Sequence, residues 1–333
     1  MFKNKTILIT GAGSLGKALT LRLLGMEPKT IRLLDNHEST LYNIEQELSE
    51  NAGTMRYFVG DVTDKDRVKR AMDGVDYVFH TAALKQVPYS NNSPWAYVNV
   101  NVLGTMVVVD AAIDADVGTV IVISTDKGVE ALNVYGKTKS LAESVAVCAN
   151  YYKGSKRTKI GVCRYGNVDA SLGSVIPVWK EQVKKGRISV TDLNMRRFSI
   201  SMDEALDFIY LTTTQCQGGE IFVPVMKTYT LGGLLKVLID IYDVDIKKIG
   251  IRSGEKMFET LIGENEIRDT YDFGGGYVII PNDEYIDAYN LKSGVYKQYP
   301  HPSFPRYTSL EADEFTEYEM KERFSKYFIG GLV

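Results

Sequence analysis

Residues 6–24 read TILITGAGSLGKALTLRLL. A threonine-flanked aliphatic run, TILIT, predicts a strand. A glycine turn follows, and GKALTLRLL continues with helical spacing. Gly11, Gly13 and Gly16 space as G-x-G-x-x-G at the first strand-to-helix junction. The first glycine suits the tight turn, the second lets backbone approach a pyrophosphate, and the third lets helix pack on strand. The helix N-terminus then faces the phosphate charge, with Ser14 and Leu15 inside the loop. This stretch predicts a dinucleotide site and, with it, an α/β fold.

The rhythm continues outward. TIRLLD (30–35), MRYFVGDV (55–62), VDYVFHTA (75–82), VGTVIVIS (117–124) and TKIGVCRYG (158–166) read as strands that are mostly apolar on both faces. Segments 16–26, 37–50, 64–74, 101–115 and 133–152 have helical spacing. Alternating strand and helix predicts a Rossmann-like, doubly wound parallel sheet. Past about residue 170 the rhythm breaks. Segments 174–186 and 202–215 look helical and GGEIFVPV (218–225) looks like a strand, whereas from 265 the periodicity is weak. The expected division is a dinucleotide-binding domain over 1–170 and a smaller substrate-binding lobe over 171–333, partly interleaved with it.

Asp35 ends the second strand, 19 residues after Gly16. A carboxylate there accepts hydrogen bonds from ribose hydroxyls and repels a 2′-phosphate. That favours NAD, with NADP the alternative. Asn36 and His37 follow where an arginine would hold that phosphate. Asp61, followed by Val62, closes the third strand at adenine height.

Tyr135 and Lys139 form Y-x-x-x-K on one helix after the fifth strand, so both face one side. An ammonium near a phenol lowers its pKa from ~10 and lets it take a proton from a substrate hydroxyl as hydride leaves for nicotinamide. Upstream, STDK (124–127) adds Asp126 and Lys127, a second acid and amine that simple alcohol oxidation does not need.

With this strand, Thr125 and Y-x-x-x-K in place, the chain resembles the extended short-chain dehydrogenase/reductases, which act mostly on nucleotide sugars. Among them HTAALKQVP (80–88), STDK (124–127), RYGNV (164–168), GGEIFVP (218–224) and IGIRSGEK (249–256) look like the soluble, C5-inverting UDP-N-acetylglucosamine 4,6-dehydratases. The similarity covers roughly 5–265. The glycine loop is one residue shorter than the family's. Asp169, Ala170 and Leu172 stand where relatives tend to have an apolar residue, glycine and arginine, and Asp35 stands where some relatives have an NADP-reading arginine nearby.

The resemblance implies a tightly bound nicotinamide cofactor and a second acid–base step. Oxidation at C4 acidifies the C5 hydrogen, Lys127 is the expected C5 base, and Asp126 the acid for O6. For that, the Lys127 amine must fall well below ~10.4, through burial and the Lys139 charge, and Asp126 must rise. Thr125 would hydrogen-bond the 4-oxygen beside Tyr135. The resemblance further places Thr81, Ala82, Lys85 and Asn101 at the cofactor, with Lys85 between it and the sugar. Asn167, Val168, Val175 and Arg252 are expected around the sugar and diphosphate, and Glu255 at the uridine ribose. Arg196 and Arg197 are a further phosphate candidate, with solvated charge the preferred reading. The competing readings are a UDP-sugar 4-epimerase, which needs no second base, and a non-catalytic NAD-binding regulator, which would not need to keep both Tyr135 and Lys139.

The remaining composition narrows the class. A net charge of −3 gives no sign of a nucleic-acid or anionic-membrane partner. Cys148, Cys163 and Cys216 lack metal spacing and read as reduced thiols, and the three scattered histidines suggest no metal site. No apolar stretch approaches the ~20 residues of a membrane span, and MFKNKTILIT opens directly into a strand with no signal-peptide pattern. A cytoplasmic homo-oligomer binding a UDP-sugar is the expectation.

Overall fold

The computed structural model describes residues 1–281 and 292–329. The main layer is a nine-stranded sheet in the order β14-β15-β10-β6-β5-β4-β1-β2-β3. Its first six strands are β1 (Thr6–Thr10), β2 (Thr30–Asp35), β3 (Met55–Val59), β4 (Tyr77–His80), β5 (Thr119–Thr125) and β6 (Lys159–Tyr165). All run parallel, so strand order reverses between β1 and β4, where α/β sheets bind ligands. β10 (Ile221–Val223) adds a parallel strand, and β14 (Thr270–Asp272) and β15 (Tyr277–Ile279) close that edge antiparallel. Strands β1, β5 and β6 are almost wholly buried because helices cover both faces.

Helices α1 (Ser14–Leu24), α2 (Glu38–Glu47), α3 (Lys65–Met72), α4 (Val87–Asn92), α5 (Pro94–Tyr97), α6 (Gly104–Asp114) and α7 (Val134–Tyr152) connect these strands. From α5 through α6 the helical run Pro94–Asp114 is continuous and long and apolar enough to cross a membrane, which corrects the expectation of no such stretch. Of its most apolar window, 56% is buried inside the fold, as in a core helix.

A second apolar cluster forms around α8 (Val175–Val183), β8 (Arg187–Val190), α10 (Leu231–Ile239) and the C-terminal helix Glu317–Ile329. Trp179, Leu234, Phe324 and Phe328 lie at its centre. The chain crosses between the two cores repeatedly. After α8 and β8 it returns with β9 (Arg196–Ile200), whose Phe198 joins the main core, and with α9 (Met202–Gln215) and β10. It leaves again with β11 (Lys227–Thr230) and α10, then returns with β13 (Thr260–Ile262), β14 and β15. The C-terminal helix, within the weakly periodic segment, packs Phe324 against Tyr229.

Candidate active site

A cleft of about 620 Å³ runs from the β1 glycine loop to the second core. Its floor is the carboxyl end of β1, β4 and β5. At one end Gly11, Gly13, Ser14, Leu15 and Gly16 line it. A side chain at Gly16 would put its Cβ 1.8 Å from the Gly11 carbonyl oxygen, whereas one at Gly13 would meet nothing within 4 Å. The loop therefore needs a glycine at 16 for its own packing, and at 13 it keeps space in front of the helix N-terminus. That is the cradle a pyrophosphate requires. Asp35 lies beneath this loop, accepting from the Ala12 N–H at 2.6 Å and the His37 N–H at 2.8 Å. Asn36 donates to Asp61 at 3.1 Å, and Val62, Thr81, Ala82 and Lys85 complete this end. Burial and the neighbouring Lys127 charge hold the Lys85 amine, at the cleft mouth, below its usual value.

Asn101 is placed differently from the expectation. It is 1% exposed, accepts from the Leu84 N–H, and donates to the Leu84 carbonyl and to Thr138 Oγ1. It braces the loop that carries Lys85 and does not line the cleft.

The middle of the cleft gathers Thr125, Lys127, Tyr135 and Lys139. β5 delivers Thr125, and a single turn, Asp126–Gly128, presents Lys127. Asn133 caps α7 by accepting from the Gly136 N–H at 2.9 Å, which starts the helix at the right point for Tyr135. A Cβ on Gly136 would lie 2.1 Å from the Lys127 carbonyl oxygen, so only glycine lets α7 close against that turn. Tyr135 and Lys139 then share the cleft-facing side of the helix.

Two electrostatic expectations are corrected. Burial pushes the Tyr135 phenol up to about 12. The cation that pulls it back is Lys127, not Lys139, because the Lys139 amine is turned to donate to the Ile123 carbonyl at 2.6 Å. Burial itself takes the Lys139 amine down to about 8. Lys127 moves opposite to the expectation. Burial pulls its amine down, but Asp126, Glu259 and Tyr135 outweigh burial and the net direction is up. The amine donates to Asp126 Oδ1 and to Asn167 Oδ1, each at 2.9 Å. Asp126 is wholly buried behind it. Its Oδ1 also accepts from Thr125, and its Oδ2 has no hydrogen-bond partner among the described residues. Lys127 Nζ is thus the atom of this pair that reaches the cleft.

The far end is lined by Asn167, Val168, Val175, Arg252 and Glu255. Asn133 Nδ2 donates to the Gly254 carbonyl at 2.9 Å, tying the 252–256 loop to the start of α7. The Arg252 side chain is 52% exposed and sits 3.6 Å from Glu255.

Two residues here escaped the sequence reading. Arg197 is not solvated: its side chain is 11% exposed, lines the cleft, and donates to the Lys256 carbonyl at 3.0 Å. Arg196 and Arg197 take opposite faces of β9, and its packing across residues 256–259 makes Arg197 the inward one. Arg196 instead pairs with Glu314 at 2.9 Å. Glu259, 4% exposed, also lines the cleft, and no sequence pattern marked it.

The model of the polysaccharide biosynthesis protein family matches residues 7–281. An uncharacterized membrane protein of Methanocaldococcus jannaschii is 44% identical over 84% of this chain and 87% of its own. The UDP-N-acetylglucosamine 4,6-dehydratase (inverting) of Campylobacter jejuni is 39% identical, with 87% of each chain covered. A UDP-glucose 4-epimerase of Rickettsia conorii is 38% identical over 85% of this chain and 84% of its own. Among solved structures, Pen from Bacillus thuringiensis superposes with a TM-score of 0.88 at 31% identity, covering 97% of both chains.

Proposed function

Since the chain belongs to the polysaccharide biosynthesis protein family, we propose that it is a nucleotide-sugar 4,6-dehydratase. Its substrate in this reading is UDP-N-acetylglucosamine and its product a UDP-4-keto-6-deoxy-hexose inverted at C5. The observation that carries the reading is Lys127 Nζ in the cleft beside Tyr135, bonded at 2.9 Å to buried Asp126. This is a second acid–base pair next to the first.

NAD would lie on Gly11–Gly16 with its adenosine ribose at Asp35, and supplies the hydride acceptor for C4 and the donor for C6 when bound. The protein's own work is moving protons. Tyr135 takes the proton of the 4-hydroxyl, with Thr125 holding the same oxygen. The resting Lys127 ammonium passes a proton to Asp126 across their direct hydrogen bond, which creates a neutral amine and a neutral acid with no net change in charge. The amine removes the C5 proton, the pair delivers a proton to O6, and water leaves. C5 is then reprotonated from the other face with the proton that Tyr135 took from the 4-hydroxyl, which returns Tyr135 to its starting state. Asn167, Val168 and Val175 border the sugar, Arg252 clamps the diphosphate, and Glu255 meets the uridine ribose. The lobe built on the second core holds the nucleotide.

A 4-epimerase is the second reading, favoured by the Rickettsia relative and by an amine that Asp126 and Glu259 hold protonated. Incubation with UDP-N-acetylglucosamine separates the two. Loss of one water by mass supports the dehydratase, and an isomer of unchanged mass with no dehydrated product would replace it with the epimerase. Denaturing the purified protein and identifying the released nucleotide tests NAD against NADP. Cell fractionation and sedimentation test the accompanying expectation of a cytoplasmic homo-oligomer.

A further inference from the structure

We propose that Glu259 is a positioning residue for Lys127: it stands across the cleft floor from the amine, and its negative charge sets how firmly that amine keeps its proton. The catalytic consequence rests on the dehydratase reading, whereas the electrostatic claim rests on the geometry.

Glu259 precedes β13, and its backbone is fixed by Ser309, 50 residues further along the chain. Its N–H donates to Ser309 Oγ at 2.9 Å, and its carbonyl accepts from the Ser309 N–H at 2.8 Å. The side chain is 5% exposed, yet it is not closed into an ordinary ion pair. Oε1 lies 3.9 Å from Lys127 Nζ and 3.8 Å from Arg197 Nε, and Oε2 has no hydrogen-bond partner among the described residues. A structural pair in this protein looks different. Arg164 takes both oxygens of Glu143 at 2.9 and 2.7 Å and both of Glu266 at 3.0 and 2.9 Å. A buried carboxylate left with an unbonded oxygen costs stability. Its placement is instead that of a charge acting on its neighbours across a largely buried corner of the cleft.

Those neighbours are few. Lys127 is faced by Asp126 on its own turn, Tyr135 on α7, Glu259 before β13, and Lys85 from the loop after β4. Burial raises the Glu259 carboxyl; Lys127, Arg197 on β9 and Lys256 face it and pull it back, while Asp126 adds to the rise. Asp126, Lys127, Glu259 and Arg197 therefore alternate in sign along the floor. When Lys127 gives its proton to Asp126, Glu259 keeps Arg197 as partner and net charge is unchanged. While Lys127 is an ammonium, Glu259 favours that state. Removing the carboxylate must make the amine release its proton more readily, and removing Arg197 must act the other way.

The test is a titration of the purified protein labelled with nitrogen-15 lysine. The Lys127 side-chain signal is identified by its loss in Lys127→Ala. In Glu259→Gln the amine should lose its proton about tenfold more readily, a midpoint about one pH unit lower. Glu259→Asp should largely restore the wild-type midpoint, and Arg197→Gln should raise it. With UDP-N-acetylglucosamine in heavy water, the acidic limb of C5 exchange should shift to lower pH in Glu259→Gln while KM stays near wild type. An unshifted Lys127 midpoint in folded Glu259→Gln overturns the proposal. If that variant does not fold, an unshifted or lowered midpoint in Arg197→Gln overturns it. The titration needs no turnover, so a wild-type protein that fails to dehydrate would sink the functional reading and leave this result standing.

Discussion

Lys127 is the residue on which dehydratase and epimerase divide. Its proposed task as C5 base starts only once C4 is a ketone, so Lys127→Ala should still reduce the bound cofactor, though more slowly because Tyr135 loses the cation that lowers its phenol, and then stall. Reduced cofactor and 4-keto hexose should accumulate, and dehydration should fall by about 10²–10⁴, the usual loss of a general base. Absorbance at the reduced-nicotinamide band and C5 exchange with heavy water check this, and wild-type dehydration by the variant would return the pair to a structural role. Lys139 gives a second test, through stability. Its folded value of about 8 lies below that of an exposed lysine. Below pH 8 both folded and unfolded chains carry the charge, and the folded one bears the cost of burying it. As pH rises from 8 towards ~10.4 the folded chain sheds the proton first, so stability rises with pH. Thermal unfolding should show Lys139→Met comparatively most stable at pH 7, with wild type gaining on it by pH 9.5, although the variant loses activity throughout. Two things about this residue pair were beyond the sequence. Four-residue spacing puts Tyr135 and Lys139 on one side of α7, but it does not say that the Lys139 amine turns to the Ile123 carbonyl. Nor does it say that a glutamate 132 positions beyond Lys127 raises that amine.

At the scale of elements, the strand-turn-helix unit over residues 6–24 separates folding from binding by which glycine is changed. Gly16→Ala drives a Cβ into the Gly11 carbonyl at 1.8 Å, so β1 and α1 must part. Gly13→Ala meets nothing within 4 Å. It should unfold within about 1 kcal/mol of wild type, since such a surface change touches no core contact, yet lose the nucleotide because the methyl group occupies the pyrophosphate's space. Urea unfolding and the nucleotide content of the purified protein separate the two, and a Gly13→Ala protein that keeps its nucleotide would place the phosphates elsewhere. The same unit shows why the first half was legible. β1 and β2 fall on their expected residues, because a buried parallel strand bounded by turns leaves a plain apolar run. The reading ran past the end of β3 to residue 62, because it carried the strand on to Asp61 and Val62, whereas β3 stops at Val59, before Gly60 and the charged Asp61. The second half hides its elements. β8, β9, β11 and β12 (Asp245–Lys248) are as short as β1 and β4 but mix charged with apolar residues, so they lack the plain apolar run that marks a buried strand. α10 begins Leu-Gly-Gly, which reads as a turn until its leucines are seen in the second core. Arg197 was misjudged for a related reason. Its burial comes from β9 lying across the 256–259 segment, a contact no local pattern encodes.

Across the whole molecule, one arginine of the C-terminal helix ties the two cores together. Arg323 Nε donates to Asp169 Oδ2 at 2.8 Å and to Ser199 Oγ at 3.1 Å, and its other nitrogens reach both oxygens of Glu204 at 3.1 and 2.6 Å. Asp169 follows the strand Asn167–Val168 at the cleft wall, and Ser199 and Glu204 lie on β9 and at the start of α9. This accounts for Asp169, where relatives tend to carry an apolar residue: the segment that appeared featureless in sequence supplies its partner. The Asp169 side chain is 2% exposed, and burial lifts its carboxyl to about 6 against the pull of Arg323. Arg323→Ala leaves that carboxylate buried and without its cation, at a cost of roughly 3 kcal/mol. That is the low end for a broken buried pair, because the Arg323 side chain keeps 16% exposure. An acid whose folded value is raised makes stability fall as pH rises from about 4 through that value, since the unfolded chain releases its proton first. Without Arg323 the folded value moves higher still. The deficit of Arg323→Ala should therefore be small at pH 5, where Asp169 is largely protonated and needs no cation, and should widen to its full size by pH 8. Asp169→Asn in the same background should abolish that widening. Urea unfolding of the single and double variants at pH 5 and 8 measures it, and a deficit equal at both pH values would mean that Arg323 holds the cores together through Glu204 and packing alone.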